Sequence, residues 1–184
     1  MGAFRNGWGH FCTITYHRWL VCKGCFHVGL YRQGLTHDLS KYSPTEFRAG
    51  IRHYTGTRSP NDLERRANGY SEAWLHHKGR NKHHFEYWND YSLDRSAEFP
   101  VQPVPMPKRY VAEMFCDRVA ASKVYHKDDY TDRSPLEYYL MGRSKQLMHP
   151  ETDELLHRML TVLAEEGEAA AYRYIRVEVL GKKR

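Results

Sequence analysis

Apolar residues along the chain recur at helical rather than alternating spacing. Ile14, His17, Val21 and Val28, with Leu20 and Cys25 beside them, make one face of a helix that ends near Gly29. A shorter helical segment leads through Leu35 to Lys41. "SPTE" then offers Ser43 as N-cap, Pro44 at the first helical position and Glu46 closing a capping box. The device recurs as "SPLE" at Ser134 to Glu137, and "SPND" at Ser59 to Asp62 is a looser version. Tyr70 to Trp88 reads as helix with Gly79 as a candidate break. Tyr110 to Tyr125 is strongly helical, and Asp153 to Ile175 is a further amphipathic run. The four prolines between Phe99 and Lys108 forbid helix there and predict an extended connector. The final "GKKR" reads as a frayed tail. With no internal repeat and no alternating strand pattern, the chain is expected to be an all-α domain.

Composition agrees with a folded chain. The 184 residues suffice for one domain with a sizeable core, and 41% hydrophobic with 27% charged residues fits a globular protein. No apolar run approaches the ~20 residues needed to cross a bilayer. The opening "MGAFRNGWGHF" lacks the pattern of a signal peptide, and Asn6 stands where a myristoylation motif wants Ser or Thr. A cytoplasmic location is the expectation. The net charge of +6 suits an anionic small molecule or weak nucleic-acid contact, and ordinary solubility explains it as well. Cys22-x-x-Cys25 looks like half a zinc site without its second half, so Cys12, Cys22, Cys25 and Cys116 are read as free thiols.

The polar residues that interrupt the helical pattern carry the chemistry. Four of the 12 histidines, His76, His77, His83 and His84, crowd into "HHKGRNKHHFEYW". On a helix, positions seven apart share a face, so His77 could meet His84, and His76 could meet His83. Imidazoles are common ligands for zinc and iron, although a solvated histidine-rich surface would look the same. His17 lies within the apolar stripe of the first helix, where a core histidine is the commoner outcome. Asp117 falls in the stripe Tyr110, Met114, Asp117, Ala121, Val124, which turns its carboxylate towards the core. A buried carboxylate neutralises, finds a cation or binds a metal. Arg118 and Lys123 point elsewhere on that helix, and Asp128 and Asp129 lie in a polar turn.

In order, these are His17, His37-Asp38, the His76 to His84 cluster, and Asp117. That order resembles the H…HD…H…H…D pattern of the HD-domain superfamily of metal-dependent phosphohydrolases, whose fold is a helical bundle. "THDLSK" is similar to the family's HDxxK element and "CDRVAAS" to its terminal aspartate helix. "HDLSKYSPTEF" with "AWLHHKGRNKHHFEYW" resembles a branch found in phages and bacteria. The likeness covers roughly His17 to Tyr125. It implies an HD-like core over about residues 10–126 and a C-terminal helical extension over about 134–180, within one domain.

The resemblance implies one or two divalent transition metals, Fe, Mn, Ni, Co or Zn. His17, His37, Asp38 and Asp117 would bind the first. Asp38 would bridge, and His77 and His84, with His76 and His83 as second choices, would complete the other site. Such a pair, about 3.5–4 Å apart, activates water for in-line phosphoryl displacement. Asp38, Lys41 and Arg80 are the candidate catalytic groups. A helical turn would carry the Lys41 ammonium from His37 towards phosphate, and Arg80 suits a bidentate grip, unless it pairs with Glu86 or Glu72. Trp74, Phe85, Tyr87 and Trp88 could stack on a base, although core packing is the commoner role. The expected activity is hydrolysis of a nucleotide or related small phosphoester. Rival readings are a mixed-valence di-iron oxygenase, a non-catalytic nucleic-acid-binding module built on "KGRNKHH", and a helical module with structural zinc.

Overall fold

The computed structural model describes residues 2–94, 96 and 98–183. Nine α-helices are found among the described residues, with a short two-stranded antiparallel ribbon. The fold is an all-α helical bundle.

Its centre is α6 (Lys108–His126), which buries Val111, Ala112, Met114, Phe115, Cys116, Val119 and Ala120. A helix apolar on so much of its circumference must be covered on more than one side. On one side α1 (Gly2–His27) supplies Val21, Cys25 and, just past its end, Val28. On another, α8 (Pro150–Glu166) supplies Leu156, Met159, Leu160 and Leu163. Ala171 of α9 (Glu168–Tyr174), with Ile175 and Val179 of the π-helical turn that follows, joins the same continuous core. Burial of this kind contributes about 25 cal/mol per Å² of apolar surface. The C-terminal helices therefore share the core of the N-terminal ones. Tyr139 of α7 (Ser134–Gly142) is fully buried, and its hydroxyl donates to the Asp153 carbonyl at 3.1 Å.

Several elements depart from the sequence reading. The segment through Leu35 to Lys41 is not one helix. The short α2 (Tyr31–Thr36) ends before His37, and a 3-10 turn occupies Leu39–Tyr42. Ser43 does cap α3 (Pro44–Arg52), accepting from the Glu46 amide at 3.4 Å, but the Glu46 carboxylate bonds distant histidines instead of closing the box. Ser59 precedes α4 (Pro60–Asn68) without a side-chain cap bond. Ser134 is the first residue of α7 and binds the Thr131 amide at 3.0 Å, so Arg133 holds the N-cap position. Gly167, at φ 84°, divides the run from Asp153 to Ile175 into α8 and α9.

The largest correction concerns Tyr70 to Trp88. Ser71 caps α5 (Glu72–Lys78) by accepting from the Trp74 amide at 3.0 Å, and the helix stops at Lys78. The Asn81 side-chain amide takes the His77 carbonyl at 2.8 Å, satisfying one of the orphaned acceptors at that end. A 3-10 turn spans Phe85–Tyr87, and β1 (Asn89–Tyr91) pairs with β2 (Val101–Pro103), the proline-rich segment. The tail is tied down as far as it is described: the Lys182 ammonium donates to the Gly29 carbonyl, and Arg176 Nη1 to that of His27 at 3.3 Å. Arg184, the last residue of the expected frayed tail, lies outside the described residues.

Gly34 lets α2 lie directly on α1. A Cβ added there would stand 2.9 Å from Cys25 Cβ and 3.2 Å from the Cys22 carbonyl oxygen. Gly34→Ala is therefore expected to cost about 1–3 kcal/mol through overpacking, as read by urea denaturation.

Candidate metal centre

The site begins at the break between α2 and the following 3-10 turn. Arg18, on α1, donates from Nε to the His37 carbonyl at 2.7 Å and from Nη2 to the Leu35 carbonyl at 3.2 Å. Two acceptors left over at the end of α2 are thereby satisfied, and the chain can turn away. Asp38 turns it with a left-handed backbone, φ 51°. Asp carries this conformation more readily than most residues, though at a cost. The turn delivers His37 and Asp38 into the interior, 2% and 1% exposed.

There the two oxygens of Asp38 face different partners. Oδ1 lies 3.3 Å from Nε2 of His77 and 3.4 Å from Nε2 of His83. Oδ2 lies 3.4 Å from Nε2 of His37, 4.0 Å from Nε2 of His17 and 2.8 Å from the Lys41 ammonium. Oδ1 of Asp117, on α6, stands 3.0 Å from Nε2 of His17 and 3.5 Å from Nε2 of His37. Two ligand groups thus share Asp38. One is His17, His37, Asp38 and Asp117; the other is Asp38, His77, His83 and His84; within each, the ligand atoms lie within 4.8 Å of one another. A third, overlapping group joins His37, His83 and Glu113.

Behind the imidazoles stand two carboxylates. Glu113, on α6 one turn before Asp117, places Oε1 2.9 Å from His37 Nδ1 and 3.3 Å from His83 Nδ1. Its Oε2 accepts from Gln33 at 2.6 Å. Glu46, on α3, places Oε2 2.8 Å from His77 Nδ1 and Oε1 2.7 Å from His76 Nδ1. With Nδ1 engaged outwards, the Nε2 atoms of His37, His77 and His83 turn to the centre, the arrangement by which a carboxylate orients a metal-binding histidine. Some inner atoms lack hydrogen bonds: among the described residues, Nε2 of His37, His83 and His84 and Oδ1 of Asp38 are buried without one. Buried polar atoms are rarely left so. An ion at their centre would satisfy them together, and these buried His/Asp groups can hold one.

The electrostatics fit a cation. Burial alone would raise the Asp38 carboxyl, yet His37, His77, Lys41 and His83 hold it well below the usual range. Asp117 is likewise held down, against burial, by His17 and His37. Burial and then the Lys41 ammonium lower His17; burial and then His83 and His77 lower His84 much further. Both keep a free lone pair. Burial opposes charging His37 too, but Asp38, Asp117 and Glu113 outweigh it and raise the imidazolium to about 10. Hydrogen bonds from His37 and His83 bring Glu113 down to about 2, again against burial. Without a metal, a proton on His37 offsets part of the negative charge.

Of the residues singled out from sequence, His17, His37, Asp38, His77, His84 and Asp117 all fall in the two groups, and Lys41 contacts Asp38. Both His77 and His83 approach Asp38, whereas His76 turns to Glu46. Lys41 reaches Asp38 from the 3-10 turn, not along a helix from His37. Arg80 is exposed and donates to its neighbour's carbonyl, His76 O, at 3.3 Å. Glu113 and Glu46 were not foreseen. The position of Glu113, four residues before Asp117, was the one available signal. Lys123 pairs with Glu168 at 2.5 Å, while Arg118 lines the same cavity as Asp117. The four cysteines are unpaired, and none joins a ligand group among the described residues.

The cavity is about 590 Å³ and borders His17, His77, His84 and Asp117. Lys41, Arg58, Arg66 and Arg118 also line it, as do Trp74 and Phe85 among the aromatics expected near the site. Trp88 packs against the core and Tyr87 is 39% exposed. Such a volume suits a small organic ligand.

Two outcomes follow from this geometry. Glu113→Gln should keep the helix content and weaken metal binding about 10–100-fold, because His37 and His83 lose their orienting anion. Metal analysis after dialysis against graded chelator measures this. Metal entry must also displace the His37 proton, so affinity should rise with pH from below neutrality and level off above about 10. Calorimetric titration in buffers of different ionisation enthalpy counts the released proton.

Residues 6–162 match the model of a family described as a family of unknown function, DUF5662, and the chain belongs to that family. No curated protein and no solved structure matches it. No described helix is long and apolar enough to cross a membrane.

Proposed function

We propose that this DUF5662 member is a metal-dependent phosphohydrolase, of HD-domain type, acting on a nucleotide or related small phosphoester. One observation carries the reading: a single buried carboxylate, Asp38, divides its oxygens between two ligand groups beside a cavity lined by four cationic side chains. A shared carboxylate is how paired sites are built, and cations suit a phosphoryl group. Mixed imidazole and carboxylate ligands select Fe, Mn, Ni, Co or Zn over Ca or Mg. When bound, such ions polarise a phosphoryl oxygen and make water nucleophilic at neutral pH.

The protein's own groups supply the rest. Lys41 is held against Asp38 at 2.8 Å and, although burial opposes its charge, Asp38 and Asp117 keep it firmly an ammonium. Its remaining N–H groups can donate to a phosphoryl oxygen. The apolar stretch of Ile14, Met114 and Val124 in the cavity wall limits water around the reacting group. Trp74 and Phe85 offer flat surfaces for a base or other planar moiety.

Purified protein carrying two equivalents of transition metal should hydrolyse p-nitrophenyl phosphate, and chelation should abolish the activity. Lys41→Gln should lower kcat about 100-fold while retaining metal, the scale expected for losing one charged donor to a developing anion. A mixed-valence di-iron signal in electron paramagnetic resonance, with oxygen-dependent turnover and no phosphate release, would replace hydrolysis by oxygenation. Loss of fold on metal removal would instead favour structural zinc.

A further inference from the structure

Of the cations lining the cavity, two are already committed. Lys41 is tied to Asp38 at 2.8 Å, and Arg66 to Asp62 at 2.9 Å. Arg58 is exposed. Arg118 differs from all three. It follows Asp117 on α6, so its side chain leaves the helix about 100° further round, yet it lines the same cavity. Its Nε is buried without a hydrogen-bond partner among the described residues. No ion pair within 4.0 Å engages its guanidinium among the described residues, and Asp117 and Glu86 attract it only from beyond that distance. The Tyr139 ring, 5.6 Å from Cζ, supports it by a cation–π contact. A guanidinium does not shed its charge by deprotonating, so holding one half-buried, with Nε sequestered and no paired anion, is costly. The cost is removed when an anion arrives.

We propose that Arg118 is an anion-binding residue for a second, non-reacting phosphate of the substrate, and that the preferred substrates are bisphosphorylated small molecules. The inference rests on the phosphohydrolase reading and goes beyond it. One phosphoryl group at the ligand cluster is matched by the metal ions and Lys41. Arg118 is then surplus to that group, and its planar fork offers parallel N–H donors of the kind that grip a phosphate in two places. Arg58, at the exposed edge of the cavity, adds attraction of the same sign.

The test uses metal-containing wild type, Arg118→Gln and Arg118→Lys. Binding of propane-1,3-bisphosphonate and of propylphosphonate, neither of which can be hydrolysed, is measured by calorimetry. Wild type should bind the bisphosphonate about tenfold or more tightly than the monophosphonate. Arg118→Gln should erase most of that preference, Arg118→Lys should restore part of it, and the melting temperature of Arg118→Gln should match or exceed wild type. A preference unchanged in Arg118→Gln would overturn the proposal. So would a lowered melting temperature with equal loss of both ligands, the signature of a structural arginine. Turnover of propane-1,3-diyl bisphosphate and propyl phosphate separates the two readings. Release of phosphate from both by wild type, with no selective loss in Arg118→Gln, rejects the second-phosphate site and leaves the hydrolase. Selective binding without any phosphate release upholds the anion site and rejects the hydrolase.

Discussion

The buried carboxylate of Asp38 is the constraint around which the N-terminal half is assembled. Holding a non-glycine residue in the left-handed region costs of order 1–3 kcal/mol, and removing a carboxylate from water costs several more. Both costs fall on one residue, at 1% exposure and φ 51°. The offsetting interactions come from separate elements: Arg18 of α1 on the neighbouring carbonyls, Lys41 from the next turn, His77 from α5, and His83 from the loop beyond. Gly34 permits the close approach of α1 and α2 that brings Arg18 within reach. Moving any one of these would leave the carboxylate under-compensated.

The charge around Asp38 points the same way. Asp38, Asp117, Glu113 and Glu46 bring four carboxylates to the cluster, where Lys41 pairs with Asp38 and the carboxylates around His37 raise its imidazole. His37, His77 and His83 lie between inner and outer carboxylates, so each of these links a central anion to a peripheral one. Carboxylates buried in such number are poorly tolerated without cations beside them. A divalent ion would add positive charge among them and supply the missing partners of the unsatisfied Nε2 atoms and of Asp38 Oδ1.

Helical class, the long first helix and the core helix carrying Asp117 were legible because each rests on a sustained apolar period. His17 and Asp117 were legible as polar interruptions of such periods. Glu46 was not, because its local spacing from Ser43 spells a capping box while its actual partners lie 30 and 31 residues away. Local sequence cannot weigh that competition. The ribbon between Asn89 and Pro103 was hidden for a related reason: its strands have three residues each, too few to display alternation. Arg118 was set aside by helical geometry as a partner for Asp117, and no ion pair joins the two; what that geometry could not reveal is the cavity both residues border.

The histidine cluster shows how residues expected to meet along one helix can meet without it. Positions seven apart on a straight helix share a face, but they are also separated by about 10.5 Å along the axis. Two imidazoles so placed reach one ion only with difficulty. Ending α5 at Lys78 removes that separation. With Asn81 capping the His77 carbonyl, the chain folds back through residues 79–82, and the rings of His77 and His84 come to 4.8 Å. The same reversal brings His83 to Asp38 Oδ1, which a continuous helix would have rotated away from His77 and His84. The tight spacing of "HHKGRNKHH" therefore delivers His77 and His83 to one carboxylate oxygen, and His84 to the same ligand group, because it is not a helix throughout. Its glycine and asparagine are as much a part of the site as its histidines.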